Sequence, residues 1–391
     1  MLDSKHRSAP AETVPATINP RIFSLIAVAN RRAHEQGRYN VNSVSFATIG
    51  SDRPLRGVVV GAGFLGPFWA KELVHSQDTE LVGWVDLDAD RVRARADELD
   101  PANLPTGSSL ETLLATLKPD FVVNAAAPGA HYEVTMTSLG HGAAVLGEKP
   151  LAATVDQARE MVARADETQR LFMVSQNRRY LPALIAYRET VRRLGTVSSL
   201  SCDFFRAWRD WQDLEGHFLG TMEQPLLLDM AVHLFDAARA LTGADPVAVY
   251  CESYDPPWSW FPGAAAANAV FEMTGGLRFT LNGSWCSDGF ETTWTGSWRA
   301  VGERGSALWD GETAPVLDPA PGQELTAVVP ESTTSQEGRF YGLADALTDF
   351  VTALRTGHAP QGECHDNLLS MLMCHAAVES AQTGLRVPIT L

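Results

Sequence analysis

Gly61, Gly63 and Gly66 are spaced G-x-G-x-x-G directly after Val58, Val59 and Val60, a β-branched run suited to a strand buried on both faces. At a dinucleotide each glycine has its own task. The first makes the tight turn out of the strand, the second lets backbone approach a pyrophosphate, and the third packs the following helix close to the sheet. That helix, expected from the pattern of Phe68 to Val74, turns its unpaired N–H groups toward the phosphates. Asp86 closes a second strand-like run, Glu80 to Val85, 20 residues after Gly66. A carboxylate there accepts both adenosine-ribose hydroxyls and repels a 2′-phosphate, which favours NAD. Leu87 rather than arginine follows it, while Arg91, Arg93 and Arg95 keep NADP open as the alternative. Glycines at this spacing also occur in ordinary turns, so a β-α-β unit that binds nothing is the competing reading.

Lys149 stands between Glu148 and Pro150, just beyond the apolar run Ala143 to Leu146. Dinucleotide sites concentrate their chemistry at the carboxyl ends of strands. The lysine is therefore either a solvated loop charge or, with Pro150 fixing the chain's exit, a group pointed at the nicotinamide. On a helix expected from about Pro225 to Leu241, Asp229, His233 and Asp236 share one stripe at 100° per residue. Most other positions there are apolar, so the helix is buried and its stripe faces a paired partner or a polar cavity. The plain alternative is a satisfied structural histidine with a capping carboxylate. A hydride acceptor gives Lys149 and this stripe one common reason. Oxidising a secondary alcohol removes hydride from carbon and a proton from oxygen. His233 then serves as base with Asp229 fixing its tautomer, and Lys149 stabilises the developing alkoxide.

These groups need a scaffold, and the chain supplies a regular one. From Arg56, strands and helices alternate through Asp120–Ala126, Ala143–Leu146 and Leu171–Ser175, the rhythm of a doubly wound parallel sheet. Helices open at two apparent capping boxes, Ser108 to Glu111 and Thr154 to Gln157. After a helix from Pro182 to Leu194, strand-like runs dominate: Ser198–Phe205, Val247–Ser253, Ala266–Met273, Leu277–Trp285 and Trp298–Gly302. That pattern predicts a mostly antiparallel sheet covered by helices on one face. Thr313 to Glu337 reads as loop, and helices over Tyr341–Leu354 and Asp366–Thr383 close the chain. The expected domains are an extension over 1–54, a dinucleotide-binding Rossmann domain over 55–178 and a substrate and oligomerisation domain over 179–391. The terminal helices are free to pack back on the Rossmann domain. The extension does not read as a secretory signal, since Arg31 and Arg32 follow its apolar stretch instead of preceding it. It is expected to be an arm or flexible leader, with upstream sequence from a misassigned start as the further alternative.

The formal net charge of −16 over 391 residues argues against nucleic-acid and anionic-membrane partners. Five scattered cysteines fit a reduced, cytoplasmic chain better than a disulfide framework. Cys364-His365 and Cys374-His375 are rejected as a joint metal site, because ten helical residues hold them ~15 Å apart. No apolar run is long enough to span a bilayer.

With its glycine fingerprint, Asp86, Pro128 with His131, Glu148-Lys149-Pro150, Asn177-Arg178-Arg179-Tyr180 and Asp229 with His233, the chain from about Leu55 resembles the glucose–fructose oxidoreductase / inositol dehydrogenase / rhizopine-catabolism (Gfo/Idh/MocA) family. The resemblance implies a Rossmann domain followed by an α/β domain whose open sheet pairs subunits into dimers or tetramers. It places Lys149, Asp229 and His233 beside the nicotinamide as the catalytic trio. Expected cofactor contacts are Gly61, Gly63, Phe64, Leu65, Gly66, Asp86, Arg91, Ala127, Pro128, His131, Glu148 and Lys149. Expected substrate contacts are Lys149, Asn177, Arg178, Asp229 and His233, with Arg206, Arg209 and Asp210 as further hydroxyl ligands. The implied activity is NAD(P)-dependent oxidation of a secondary hydroxyl on a sugar, glycoside or cyclitol. Two alternatives stand beside it: a glycoside hydrolase or lyase that recycles bound NAD through transient oxidation at C3, and a non-catalytic nucleotide-binding sensor. Tryptophans cluster from Trp208 onward, including Trp258, Trp260, Trp285, Trp294 and Trp298. They read as core and interface filling ahead of sugar-stacking surfaces.

Overall fold

The structure is a computed structural model that describes residues 45–50, 52–99, 103–208, 218–330 and 342–391. Arg209, Asp210, Trp211 and the extension before residue 45 lie outside the described residues. In chain order the first layer is β1 (Leu55–Val60), α1 (Gly66–His75), β2 (Thr79–Val85), α2 (Ala89–Asp97), β3 (Thr106–Gly107), α3 (Leu110–Leu117), β4 (Phe121–Asn124), α4 (His131–Gly140), β5 (Ala144–Gly147), α5 (Val155–Thr168) and β6 (Phe172–Val174). The strands are parallel in the order β3-β2-β1-β4-β5-β6. The order reverses beside β1, and a ligand crevice therefore opens at the carboxyl ends of β1 and β4. The strands are apolar on both faces because helices cover both, and Val58, Val59, Val122 and Val123 are wholly buried. Thr154 caps α5 by accepting from Gln157 N–H, as its spacing predicts. The cap of α3 is Ser109, which accepts from Thr112 N–H, rather than Ser108. The helix therefore starts one residue later than the Ser-x-x-Glu spacing suggested.

A short helical turn (Asn177–Tyr180) leads into α6 (Pro182–Arg193), β7 (Val197–Phe205), a π-helical turn (Leu226–Met230) running into α7 (Ala231–Thr242), β8 (Pro246–Tyr254), β9 (Ala266–Met273), β10 (Arg278–Ser284), β11 (Ser297–Gly302), β12 (Gly305–Trp309), β13 (Val316–Pro319), α8 (Leu343–Thr356), α9 (Cys364–Thr383) and β14 (Val387–Pro388). The second sheet has the order β13-β12-β11-β7-β10-β9-β8-β14, antiparallel except where β10 meets β7. Within the expected loop after Thr313, Val316–Pro319 pairs with β12 as an edge strand. An edge strand of four residues carries too little alternation to be read from sequence. One face of this sheet packs Phe204, Phe271, Phe279 and Trp298 under α7. The other leaves Tyr250, Tyr254, Val270 and Leu308 exposed.

Helix α8 returns to the first layer, where Leu347 and Phe350 join Trp69 and Phe121 in one core. Phe46 and Ile49 pack against the same core. Ile49 N–H donates to Leu354 O and Ala47 N–H to Gln169 O, both at 2.8 Å. The last residues before β1 are thus fastened to the Rossmann layer.

The junction of the two layers is fixed by buried charge. Arg179 holds Asp236 of α7 through two hydrogen bonds of 2.7 and 2.6 Å and reaches Asp366 of α9 at 2.8 Å. Arg239 meets Asp366 at 2.6 Å and Asp245 at 2.9 Å, and Ser370 donates to Asp236 at 2.8 Å. Burial works to raise the Asp366 carboxyl, yet Arg179 and Arg239 hold it down at about 2. Asp236 is therefore committed to a structural network, and the expected acid–histidine–acid stripe is broken at its last member. Replacing one member of such a network strands the others in low dielectric. Arg179→Met is expected to destabilise the fold by about 3–5 kcal/mol, read as a lowered midpoint in urea unfolding. A loss under 1 kcal/mol would show that the network is solvated.

Candidate active site

The turn after β1 has the shape a dinucleotide needs. Gly61 has φ of +102°, and a Cβ there would stand 2.4 Å from Ala125 O. A Cβ on Gly66 would stand 2.0 Å from Gly61 O, so this glycine allows α1 to approach the turn. Gly63, in contrast, would meet nothing within 4 Å. The space above it belongs to a continuous cavity of about 1900 Å³. Helix α1 opens without a side-chain cap, leaving its positive end to a ligand. Asp86 accepts from Ala62 N–H at 2.6 Å, Asp88 N–H at 2.9 Å and Arg91 Nη2 at 2.6 Å. Burial opposes its ionisation, but these donors hold it below the ordinary carboxylate range. An anionic carboxylate beside an open glycine turn fits the adenosine ribose of NAD.

The same cavity is lined by the expected residues Gly61, Gly63, Phe64, Leu65, Asp86, Arg91, Ala127, Pro128, Glu148, Lys149, Asn177, Arg178, Asp229 and His233. Two expected contacts lie behind it. Gly66 is buried under the turn. His131 is 2% exposed, with Nδ1 2.7 Å from Pro150 O and Nε2 3.1 Å from Ala126 O. It ties the exits of β4 and β5 together and so positions cofactor-side residues instead of touching a ligand.

Lys149 leaves the end of β5 and crosses to the second layer. Its Nζ donates to Asp229 Oδ1 at 2.9 Å and to Asp229 O at 3.3 Å. This changes the expected role of Asp229. The carboxylate is taken by the lysine, and His233 Nδ1 is buried without a hydrogen-bond partner. Asp229 lies in the π-helical turn, whose wider pitch displaces it from the 100° stripe. An ammonium also attracts a carboxylate more strongly than a neutral imidazole does. Burial, then Arg178 and Lys149, push the His233 imidazole well below its usual value, so it is neutral. Glu148 donates nothing to this pair. It accepts from Trp69 Nε1 at 2.8 Å. Burial raises its carboxyl to about 7 against the pull of Trp69 and Lys149.

The second layer completes the wall with Arg206, Trp208, Trp285, Glu291, Thr292, Thr293 and Trp294. Trp208 stacks on Trp285 at 5.0 Å, and the Arg206 guanidinium sits 4.7 Å from the Trp294 ring. The tryptophans therefore divide. Trp298 fills the core as expected, Trp285 belongs to the core while touching the cavity, and Trp208 and Trp294 border the cavity. Met230 and the run Glu291 to Thr293 are wall residues that sequence reasoning missed, and no motif marks them. Met230 reaches the cavity from the π-helical turn beside Asp229, and Glu291 to Thr293 reach it in the loop after β10. Glu363, Cys364 and His365 gather at the start of α9 with ligand atoms within 4.8 Å. They bond to one another, His365 Nδ1 to Glu363 at 2.8 Å and Cys364 Sγ to Glu363 at 3.0 Å, as a helix cap.

Comparison with known proteins agrees with this geometry. Residues 55–176 match the oxidoreductase family with an NAD-binding Rossmann fold, and residues 187–308 match the GFO/IDH/MocA C-terminal domain. The chain is 23% identical over 366 residues to D-apiose dehydrogenase of Paraburkholderia graminis, covering 90% of this chain and 94% of that protein. It is 25% identical over 335 residues to inositol 2-dehydrogenase of Rubrobacter xylanophilus, covering 83% and 90%. Among solved structures, an oxidoreductase from Agrobacterium radiobacter in complex with NAD+, L-tartaric acid and magnesium superimposes with a TM-score of 0.77 at 18% identity, over 86% of this chain and 98% of that one. The glycine turn, the ribose-side carboxylate and both matched domains thus have a single explanation: the chain belongs to the Gfo/Idh/MocA oxidoreductases and carries their NAD-binding Rossmann domain.

Proposed function

We propose that the protein is an NAD-dependent dehydrogenase that oxidises a secondary hydroxyl of a sugar, glycoside or cyclitol. The observation that carries the reading is the meeting of Lys149, Asp229 and His233 on one cavity with the glycine turn. Bound NAD would supply the hydride acceptor. Lys149, held by Asp229, donates a hydrogen bond to the substrate oxygen and stabilises its developing negative charge. Neutral His233 takes the hydroxyl proton as the carbon gives up its hydride. Buried walls exclude water and strengthen both interactions. The relatives named D-apiose dehydrogenase and inositol 2-dehydrogenase support a polyol substrate. The exposed sheet face bearing Tyr250, Val270 and Leu308 suits pairing of two copies, so the working form is read as a homodimer or homotetramer. Among the described residues no helix is long and apolar enough to cross a membrane.

The test is formation of reduced nicotinamide when enzyme, NAD and polyols are mixed. Lys149→Ala and His233→Asn are each expected to lower kcat by about 10²–10⁴-fold, while calorimetry still detects NAD binding. A wild-type protein that binds no NAD refutes the reading. A second measurement concerns Glu148, whose carboxyl at about 7 lies above its ordinary 4.5. The folded state keeps a proton there that the unfolded chain releases, so its stabilising contribution is complete below 4.5 and lost as pH rises through about 7. Glu148→Gln keeps the shape without the charge. Relative to wild type it is expected to gain on the order of 2–3 kcal/mol between pH 5 and pH 8. A pH-independent difference in urea unfolding would rule out this titration.

A further inference from the structure

Arg178 stands at the cavity with no acid in hydrogen-bond or salt-bridge distance among the described residues. It follows Asn177 in the turn after β6 and lines the cavity together with Lys149, Asp229, Met230 and His233. Its Nη1 is buried with no hydrogen-bond partner. Its Nη2 meets only the thioether sulfur of Met230, a weak acceptor, at 3.8 Å. The neighbouring arginine is treated quite differently, since Arg179 is matched by Asp236 and Asp366. Three acids of the cavity are already matched, Asp86 by Arg91, Asp229 by Lys149 and Glu291 by Arg206. Asp229 acts on Arg178 through charge alone, with no hydrogen bond between them among the described residues. Cys202, the thiol near it, is kept protonated by burial. The absence of a partner leaves Arg178 with its guanidinium pushed down to about 9 by burial, a strain that an arriving anion would relieve.

We infer that the substrate carries a carboxylate, which Arg178 binds while Lys149 and His233 act on a hydroxyl of the same molecule; the protein would then be a dehydrogenase of sugar acids such as aldonates or uronates. This rests on the dehydrogenase reading above and narrows its substrate class. A guanidinium offers two parallel N–H donors along one edge, which match the two oxygens of a carboxylate. Its place explains why the anion belongs to the substrate and not to the cofactor. The pyrophosphate end of a dinucleotide lies at the glycine turn after β1, whereas Arg178 meets Met230 of the second layer and acts on the His233 imidazole. Charge count favours carboxylate over phosphate. Lys149 is already paired with Asp229, so among the described residues Arg178 is left as the cation without a salt-bridging acid, enough for a monoanion and insufficient for a dianion in a partly desolvated site.

The test pairs acids with neutral counterparts of like stereochemistry: D-gluconate with D-glucitol, D-galactonate with galactitol, and D-glucuronate and D-galacturonate with the methyl glycosides of the parent sugars. Wild-type enzyme with NAD is expected to favour the best acid over its neutral counterpart by at least about 30-fold in kcat/KM, the value of a charged hydrogen-bonded pair. In Arg178→Gln that ratio is expected to collapse toward one, and Arg178→Lys to recover part of it, as a point charge without the fork. Calorimetry on the NAD-loaded protein gives a reading independent of turnover. The best acid is expected to bind wild type at least tenfold more tightly than Arg178→Gln, with NAD affinity and the unfolding midpoint of the variant reporting its folding. Turnover of neutral polyols with no preference for acids overturns the inference and leaves the dehydrogenase reading standing. Preference for phosphorylated polyols, or equal loss on both substrate classes in Arg178→Gln, also overturns it. If no acid binds the NAD-loaded protein and no polyol is turned over, both fall.

Discussion

The ion pair between Lys149 and Asp229 is the contact on which this site depends. It joins the end of a parallel strand in one layer to a widened helical turn in the other, at 2.9 Å and largely out of water. A lone ammonium or a lone carboxylate at that depth would cost several kcal/mol. Each therefore fixes the other, and together they tie the end of β5 to the π-helical turn across the cavity. Because Asp229 is spent on this contact, the imidazole of His233 is free to act on something else. Burial and two neighbouring cations keep that imidazole neutral, the state a proton acceptor requires.

A second charged assembly lies behind the first and serves the opposite purpose. Arg179, Arg239, Asp236 and Asp366 satisfy one another and join α7 and α9 to the turn that carries Arg178. Adjacent arginines thus take opposite parts, one closing a structural network and one opening toward the cavity. The same division is seen in α7, where His233 faces the cleft and Asp236, three residues on, is locked in the network. Arg178 and His233 face the cleft incompletely paired, and in a low-dielectric interior incomplete pairing is what makes a group available to a ligand.

Much of this organisation was legible in sequence because its causes are local. The parallel layer follows from β-branched runs ending in glycine or proline, and the strands of the second sheet from period-two alternation, so most elements lie within a few residues of their expected limits. The cofactor turn was legible for the same reason, since a positive φ at Gly61 and contacts of 2.0–2.4 Å around Gly61 and Gly66 admit no side chain. The reading failed where long-range contacts decide. The edge strand Val316–Pro319 exists because β12 offers it a partner, and Trp208 after β7 and Trp294 after β10 border the cavity from two separate segments.

By itself the sequence determined the layer architecture, the dinucleotide turn and the identity of the lysine, aspartate and histidine that share the cleft. Their backbone preferences and spacing depend on neighbours a few residues away. Only the tertiary structure decided who pairs with whom: Asp229 with Lys149 and not with His233, Asp236 with Arg179, His131 with two backbone carbonyls, and Arg178 with no acid among the described residues. Coulomb energy and desolvation depend on distance and burial in space, and neither quantity is written along the chain.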